Sequence, residues 1–272
     1  MHGKTIVITG ATSGIGEVAA VRLAEKGARI IFTARDAARA DITMAKLRAA
    51  NPGADHAVHM GDLSLLADMK RVGREISGPI DVLVNNAGAL FNNRQVTADG
   101  LEKTFALNHV SYFVLTNLLL PHIKPGGRIV CVASGAHRGA QLDFDDLQSE
   151  RGYRGFGVYS RSKLMNILFT RELAKRVTNG ITANSLHPGF VATRFGDDTG
   201  GLTGAVFKVA KPIGAISPEE GARTIIYLAS SPQVESISGE YFYKCKIETP
   251  TREAQNDADA KRLWEISEKI AS

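Results

Sequence analysis

Cysteine is scarce in this sequence, as are long apolar runs and blocks of like charge. Two cysteines in 272 residues, Cys131 and Cys245, exclude a disulfide scaffold and fit a reducing compartment. No run of about 18 uninterrupted apolar residues occurs, so no membrane span is expected. The most apolar stretch, Tyr112 to Ile123, is too short and is broken by Asn117 and Pro121. No secretory leader is expected, because the amino terminus passes straight into a strand-like run, Thr5 to Ile8. Lys and Arg outnumber Asp and Glu by only 33 to 28, and basic residues run no longer than pairs such as Lys70-Arg71. Without an aromatic-interleaved basic stripe, that excess reads as solvated surface rather than a nucleic-acid footprint. No linker, repeat or low-complexity stretch marks a second domain. Residues 1–272 are therefore expected to form one soluble, cytoplasmic domain, with no metal site.

What is present is ordinary globular composition, 44% apolar and 22% charged, arranged in alternation. Strand-like runs occur at Thr5–Thr9, Arg29–Ala34, His56–Gly61, Val82–Asn85, Arg128–Ala133, Thr182–Leu186 and Glu240–Tyr243. They are short, rich in Val, Ile and aromatics, and often continuously apolar, as strands buried on both faces must be. Helical patterns lie between them, at Gly16–Lys26, Leu65–Ser77, Leu101–Ile123 and Ser160–Thr178. Strand–helix–strand repetition predicts a three-layer, doubly wound α/β fold with a seven-stranded parallel sheet.

Three glycines, Gly10, Gly14 and Gly16, fall in the run Thr9-Gly10-Ala11-Thr12-Ser13-Gly14-Ile15-Gly16 between the first strand and first helix. Glycine there permits a tight turn and close backbone approach to a pyrophosphate, and the helix N-terminus offers free N–H groups to its charge. An NAD site wants an acid at the end of the second strand. Here the chain reads Ala34-Arg35-Asp36. Arg35 can pair with a 2′-phosphate, which favours NADP(H) over NAD(H), while Asp36 is expected to turn away and cap the next helix. Asp62-Leu63-Ser64 and Asn85-Asn86-Ala87-Gly88 follow the third and fourth strands, where open α/β sheets bind ligands. Asp62 can accept from an adenine amino group and Leu63 can pack on the ring. Asn85 can tie strand ends together, and Ala87 and Gly88 leave room. Each segment is also compatible with a plain turn.

Ser134 ends the fifth strand, and Tyr159 and Lys163 are four apart, on one helical face about 6 Å apart along the axis. Tyrosine has an unperturbed pKa of about 10. A lysine cation and an oxidised nicotinamide both favour tyrosinate, and lowering that pKa by about 3 units requires about 4 kcal/mol.

Together these motifs resemble the short-chain dehydrogenase/reductase family nearly end to end. T-G-x-x-x-G-x-G is met at Thr9–Gly16, N-N-A-G at Asn85–Gly88 and Y-x-x-x-K at Tyr159–Lys163. The resemblance implies that Ser134 orients a substrate carbonyl and Tyr159 transfers the proton. It implies that Lys163 holds the nicotinamide ribose and lowers the tyrosine pKa, and that Asn108 completes a water-linked relay. His187-Pro188-Gly189-Phe190-Val191-Ala192-Thr193 is similar to the family's P-G-x-V-x-T segment, which implies nicotinamide contacts from Pro188, Gly189, Val191 and Thr193.

Leu107-Asn108-His109, Leu168–Ala174, Ile226–Pro232, Phe144-Asp145-Asp146-Leu147 and the 25-residue interval from Ser134 to Tyr159 resemble the retinol-dehydrogenase-like branch. Many of its members convert lipophilic alcohols and carbonyls with NADP(H). Ser13 stands where many NADP-dependent relatives carry a basic side chain, which leaves Arg35 to act without that help. The implied function is an NADP(H)-dependent oxidoreductase acting on a small lipophilic alcohol or carbonyl, as a monomer or a homo-oligomer. The Gly-rich stretch from Gly196 to Ile216 reads as a plain loop or a lid, and the resemblance favours the lid. Leu202, Val206, Phe207, Val209 and Ile213 then either wall an apolar pocket or form the core of a short helix. Two further readings remain open: a catalytically silent NADP(H) sensor, and a carbon–carbon double-bond reductase.

Overall fold

Alternate residues of the central strands face two different cores, and both cores are apolar. The computed structural model describes residues 1–190 and 216–272. Within them eight strands form one sheet: β1 (Thr5–Ile8), β2 (Arg29–Ala34), β3 (Ala57–Met60), β4 (Ile80–Asn85), β5 (Ile123–Val132), β6 (Thr182–His187), β7 (Tyr241–Tyr243) and β8 (Lys246–Ile247). Their order is β3-β2-β1-β4-β5-β6-β7-β8. Strands β1 to β7 pair in parallel, and β8 returns antiparallel on β7. The expected seven parallel strands are therefore extended by one short hairpin strand. Its turn residues, Lys244 and Cys245, both have positive φ (48° and 61°) without being glycine, which hides the hairpin from a reading of turn residues.

Ile6 and Ile8 of β1, Ile30 and Phe32 of β2, and Val82 and Val84 of β4 point to one face. There they meet α1 (Gly14–Glu25), α2 (Ala37–Ala50) and α7 (Pro218–Ser230) through Ala20, Leu23, Leu47 and Ile225. The intervening residues Val7, Ile31 and Leu83 point to the other face. They meet α3 (Leu66–Glu75), α5 (Ser111–Leu119) and α6 (Gly155–Arg176), with α8 (Asp257–Ala271) stacked outside through Trp264 against Phe113 and Phe169. Burial on both faces explains the unbroken apolar strands.

The expected helix over Leu101–Ile123 is interrupted. One turn of α-helix, α4 (Lys103–Phe105), passes into a π-helical turn at Ala106–Val110 before α5 begins. A 3-10 turn at Leu120–His122 then leads straight into β5, which starts five residues before the expected Arg128. Helix α6 starts at Gly155 rather than Ser160, because Arg154 is the last extended residue.

Asp81 closes the end of the sheet opposite the site. It accepts from Thr5 N–H at 2.9 Å and from Lys4 and Lys124 at 3.0 and 2.9 Å. Burial alone would raise its pKa, but those three donors outweigh it and hold the carboxyl below its ordinary value.

His109 of the π-helical turn is fully buried between Phe105 and Phe169, its Nε2 against the Ser267 hydroxyl at 2.8 Å. Burial lowers its pKa from 6.5 to about 3. Between those two values the unfolded chain binds more protons, so stability falls as pH falls. The wild-type slope of unfolding free energy against pH, measured by denaturant titration from pH 6.5 to 3, is expected to exceed that of His109→Leu by up to about 1.4 kcal/mol per pH unit. Equal slopes would contradict a neutral buried His109.

Candidate active site

The strand order reverses between β1 and its two neighbours, β2 and β4, and the crevice this leaves at the strands' carboxyl ends is where open α/β sheets take ligands. Gly10 and Gly14 hold positive φ (66° and 57°), the region in which a side chain is strained. A Cβ on Gly10 would stand 2.8 Å from Ala87 Cα, and one on Gly16 would stand 2.4 Å from Asn86 Nδ2. Ser13 is the N-cap of α1, yet its side chain makes no cap hydrogen bond. The first-turn amides consequently stay open to an anion. These features fit a dinucleotide pyrophosphate.

Thr9 and Asn86 hold the loop against β4. The Thr9 hydroxyl accepts from the N–H groups of Asn86 (2.9 Å) and Ala87 (3.0 Å). Asn86 Nδ2 donates back to the carbonyls of Thr9 (2.9 Å) and Gly10 (3.0 Å). Asn85 is fully buried and donates to the Thr116 hydroxyl at 2.8 Å and towards Cys131 Sγ at 3.7 Å, so it ties β4 to α5 and β5 as expected.

Arg35 follows β2, is exposed, and makes no hydrogen bond or ion pair among the described residues. Asp36 is turned away from it as the cap of α2, accepting from Arg39 N–H at 2.9 Å, as expected. Asp62 uses one carboxylate oxygen on Ser64, accepting from its N–H and hydroxyl at 2.9 and 2.8 Å. Leu63 is buried in the core on the α3 side.

Ser134, Tyr159, Lys163 and Asn108 converge beyond β5. Ser134 lies near enough to Tyr159 to favour its ionised form, and its hydroxyl accepts from Ala136 N–H at 3.1 Å. The Lys163 ammonium lies 5.5 Å from the Tyr159 ring centre and donates to Val132 O at 3.1 Å. A Cβ on Gly88 would come within 3.3 Å of Lys163 Nζ, so glycine there keeps the space open. Asn108 is fully buried, its amide paired twice with the Ala89 backbone at 2.9 Å and donating to the Ser162 hydroxyl at 2.9 Å. Ser162 in turn donates to Tyr159 O at 2.7 Å. The π-helical turn thereby locks to the turn of α6 that carries the tyrosine. Ser162 was not foreseen, and its place three residues after Tyr159 is the only sequence signal for it.

The charge states run against the expected depression of the tyrosine. Burial pushes Tyr159 up to about 12, with Ser134 working the other way. Burial also draws Lys163 down to about 7. A lysine half-neutral near pH 7 is a weak cation for its neighbour, so desolvation prevails over charge in this geometry.

At the end of β6, Gly189 has φ of 95° and donates its N–H to His187 Nδ1 at 2.9 Å. His187 stacks on Tyr243 with ring centres 4.1 Å apart, and burial lowers its pKa to about 4. Pro188 lies between them. Val191, Thr193 and nearly all of the stretch 196–216 fall outside the described residues.

Lys163 yields a prediction for the protein without added nucleotide. Its buried pKa near 7 lies below the ordinary 10.5, so the unfolded chain holds the proton more tightly between those values and stability rises with pH across that window. Lys163→Met should therefore raise the melting temperature, with the gap largest at or below pH 7 and closing towards pH 10.5. A gap independent of pH in thermal scans would contradict the assignment.

Residues 4–200 match the family model for short chain dehydrogenases. The chain is 43% identical to human retinol dehydrogenase 14, over 98% of this chain and 86% of that protein. It superposes on an uncharacterized protein from Mycobacterium paratuberculosis with a TM-score of 0.80 and 31% identity, covering 99% of this chain and 94% of the other. It also superposes on a short chain dehydrogenase from Burkholderia cenocepacia, solved in complex with NADP, with a TM-score of 0.70 and 26% identity over 89% and 96% of the two chains. Glycine loop, crevice and sequence kinship agree, and the chain belongs to the short-chain dehydrogenase/reductase family of NAD(P)-dependent alcohol oxidoreductases, in its retinol-dehydrogenase-like branch.

Proposed function

We propose that this protein is an NADP(H)-dependent oxidoreductase that interconverts a small lipophilic alcohol and its carbonyl compound, with Tyr159 as general acid/base. The observation that carries the reading is the convergence of Ser134 and Tyr159, with Lys163 behind the tyrosine ring. Two hydroxyls so placed bind one substrate oxygen. Ser134 donates to it and fixes its direction, while Tyr159 gives or takes its proton. When bound, the nicotinamide supplies or accepts the hydride. Gly10, Ser13, Gly14, Ile15 and Gly16 cradle the pyrophosphate in this reading. Asp62, Leu63, Asn85, Ala87 and Gly88 frame the nucleoside side, and Pro188 and Gly189 face the nicotinamide end.

Lys163 places a donor beside the tyrosine, and its proton becomes firmly held once an acceptor such as a ribose hydroxyl lies against it. A firm cation there lowers Tyr159 from about 12 towards the working range. Asn108 fixes the backbone beside this pair rather than exchanging protons through its own amide, all of whose described bonds are structural.

Preference for NADP(H) is supported by Arg35, which stands exposed at the end of β2 with the Asp36 carboxylate already committed to a helix cap. The lipophilic substrate is supported by kinship with proteins named for retinol. A cytoplasmic setting is supported by the two free cysteines.

Tyr159→Phe should lower kcat by at least about a hundredfold while nucleotide binding, followed by NADPH fluorescence, is retained. An unchanged kcat would sink the mechanism. Arg35→Ala should raise KM for NADPH by about tenfold or more and leave KM for NADH within about twofold, and equal effects on both would contradict the cofactor preference.

A further inference from the structure

A cavity of about 690 Å³ opens between the first turns of α6 and the segment after Ser134. Arg138, Tyr153, Arg154, Phe156, Ser160 and Arg161 line it, and among the described lining residues there are three arginines and no carboxylate. Phe156 is half exposed, with its ring centre 6.4 Å from that of Tyr159. The wall nearest Tyr159 is therefore apolar, and the lining carries a net positive charge.

The three arginines differ in what they already hold. Arg138 is paired with Glu248 at 2.5 Å. Arg161 donates to the Ser149 hydroxyl at 2.7 Å, with Asp146 near enough to feel its charge. Arg154 is exposed and makes no side-chain bond among the described residues.

Arg154 is also the N-cap of α6, a helix of 22 residues. Its side chain makes no cap bond, and the first turn of α6 carries no acid. The positive end of a long helix is where an anion is stabilising and a cation is not. Placing arginine there, facing a cavity with other arginines, is a local conflict that a bound anion relieves. The helix terminus and the cavity lining point to the same ligand chemistry.

We propose that this cavity is a subsite for the carboxylate of an amphipathic substrate, whose apolar chain lies along Phe156 and whose carbonyl or alcohol reaches Tyr159. Arg154 and the open amides of α6 bind the carboxylate. The inference rests on the reading of Ser134 and Tyr159 as the reacting end, and it narrows the substrate class from neutral lipophilic compounds to oxo or hydroxy acids.

The test uses the full chain with NADPH and a series of ω-oxo fatty acids of increasing chain length, each compared with its methyl ester. At the best chain length the acid should exceed its ester in kcat/KM by about tenfold or more. Arg154→Gln should bring that ratio close to one, and Arg154→Lys should restore part of it. A ratio near one at every length in the wild type would overturn the proposal.

Calorimetric titration of decanoate and of decanol keeps the subsite separate from the chemistry. Decanoate should bind about tenfold more tightly, and Arg154→Gln should abolish the difference. Selective decanoate binding through Arg154 with no aldehyde turned over would discard the reaction and keep the subsite. Turnover of the aldehydes with equal binding of decanoate and decanol would discard the subsite and keep the reaction.

Discussion

The junction of Thr9, Gly10 and Asn86 is the constraint on which the rest of the site depends. One hydroxyl accepts two backbone N–H groups from the turn after β4, and one side-chain amide returns two bonds to the carbonyls at the end of β1. All four bonds join segments far apart in sequence, where side chains rather than a strand ladder must satisfy the backbone. The glycines of the loop follow from this closeness. Gly10 faces Ala87 and Gly16 faces Asn86 at distances that admit no Cβ. Because the α1 amides and the Asn85–Gly88 turn are fixed to each other here, a dinucleotide meets a preformed wall on both sides of the switch point.

The opposite wall is built on a tension between burial and charge. Tyr159 and Lys163 sit in the same low-dielectric space, and each is driven towards its neutral form, at about 12 and about 7. A neutral tyrosine and a half-neutral lysine make a resting pair with little field between them. Charge brought into the crevice changes this, because a partner that steadies the lysine proton also stabilises tyrosinate. The ionisation of the pair is then linked to occupancy of the site. The same burial that weakens the pair at rest strengthens each electrostatic contact once it is made.

Much of this was legible in the residues. Gly10, Gly14 and Gly16 between a strand and a helix, Ser134 at a strand end, and Tyr159 four residues before Lys163 are local patterns whose spacing carries geometry. Asp36 as a cap and Asn85 as a tie followed from the same reasoning. The roles of Thr9, Asn86 and Ser162 did not, because each depends on a partner supplied by the fold: Thr9 needs the β4 turn, Asn86 needs the glycine loop, and Ser162 needs Asn108. The break in the helix over Leu101–Ile123 escaped for a related reason. An apolar pattern suited to a helix says nothing of the π-helical turn at Ala106–Val110, where Asn108 finds its partners in the backbone of Ala89. The hairpin to β8 was hidden by a turn made from Lys244 and Cys245 instead of Gly or Asn.

Helix α6 joins chemistry to selectivity through its own geometry. Phe156 and Tyr159 are three residues apart, so their side chains lie on neighbouring turns of one face. The start of the helix, with Arg154 as its cap, is two residues further from Tyr159. A substrate lying along this face would meet the Tyr159 hydroxyl first, an apolar ring next and a positive helix end last. The spacing is set by a helical rise of about 1.5 Å per residue, so it does not depend on loop conformation. The long interval between Ser134 and Tyr159 supplies the facing wall through Arg138 and Tyr153, and the Tyr153 hydroxyl is anchored to Phe91 O at 2.9 Å. Among the described residues, the first turn of α6 and that interval are the places open to such variation, because the next turn, with Ser162 and Lys163, is committed to bonds with Asn108, Tyr159 O and Val132 O.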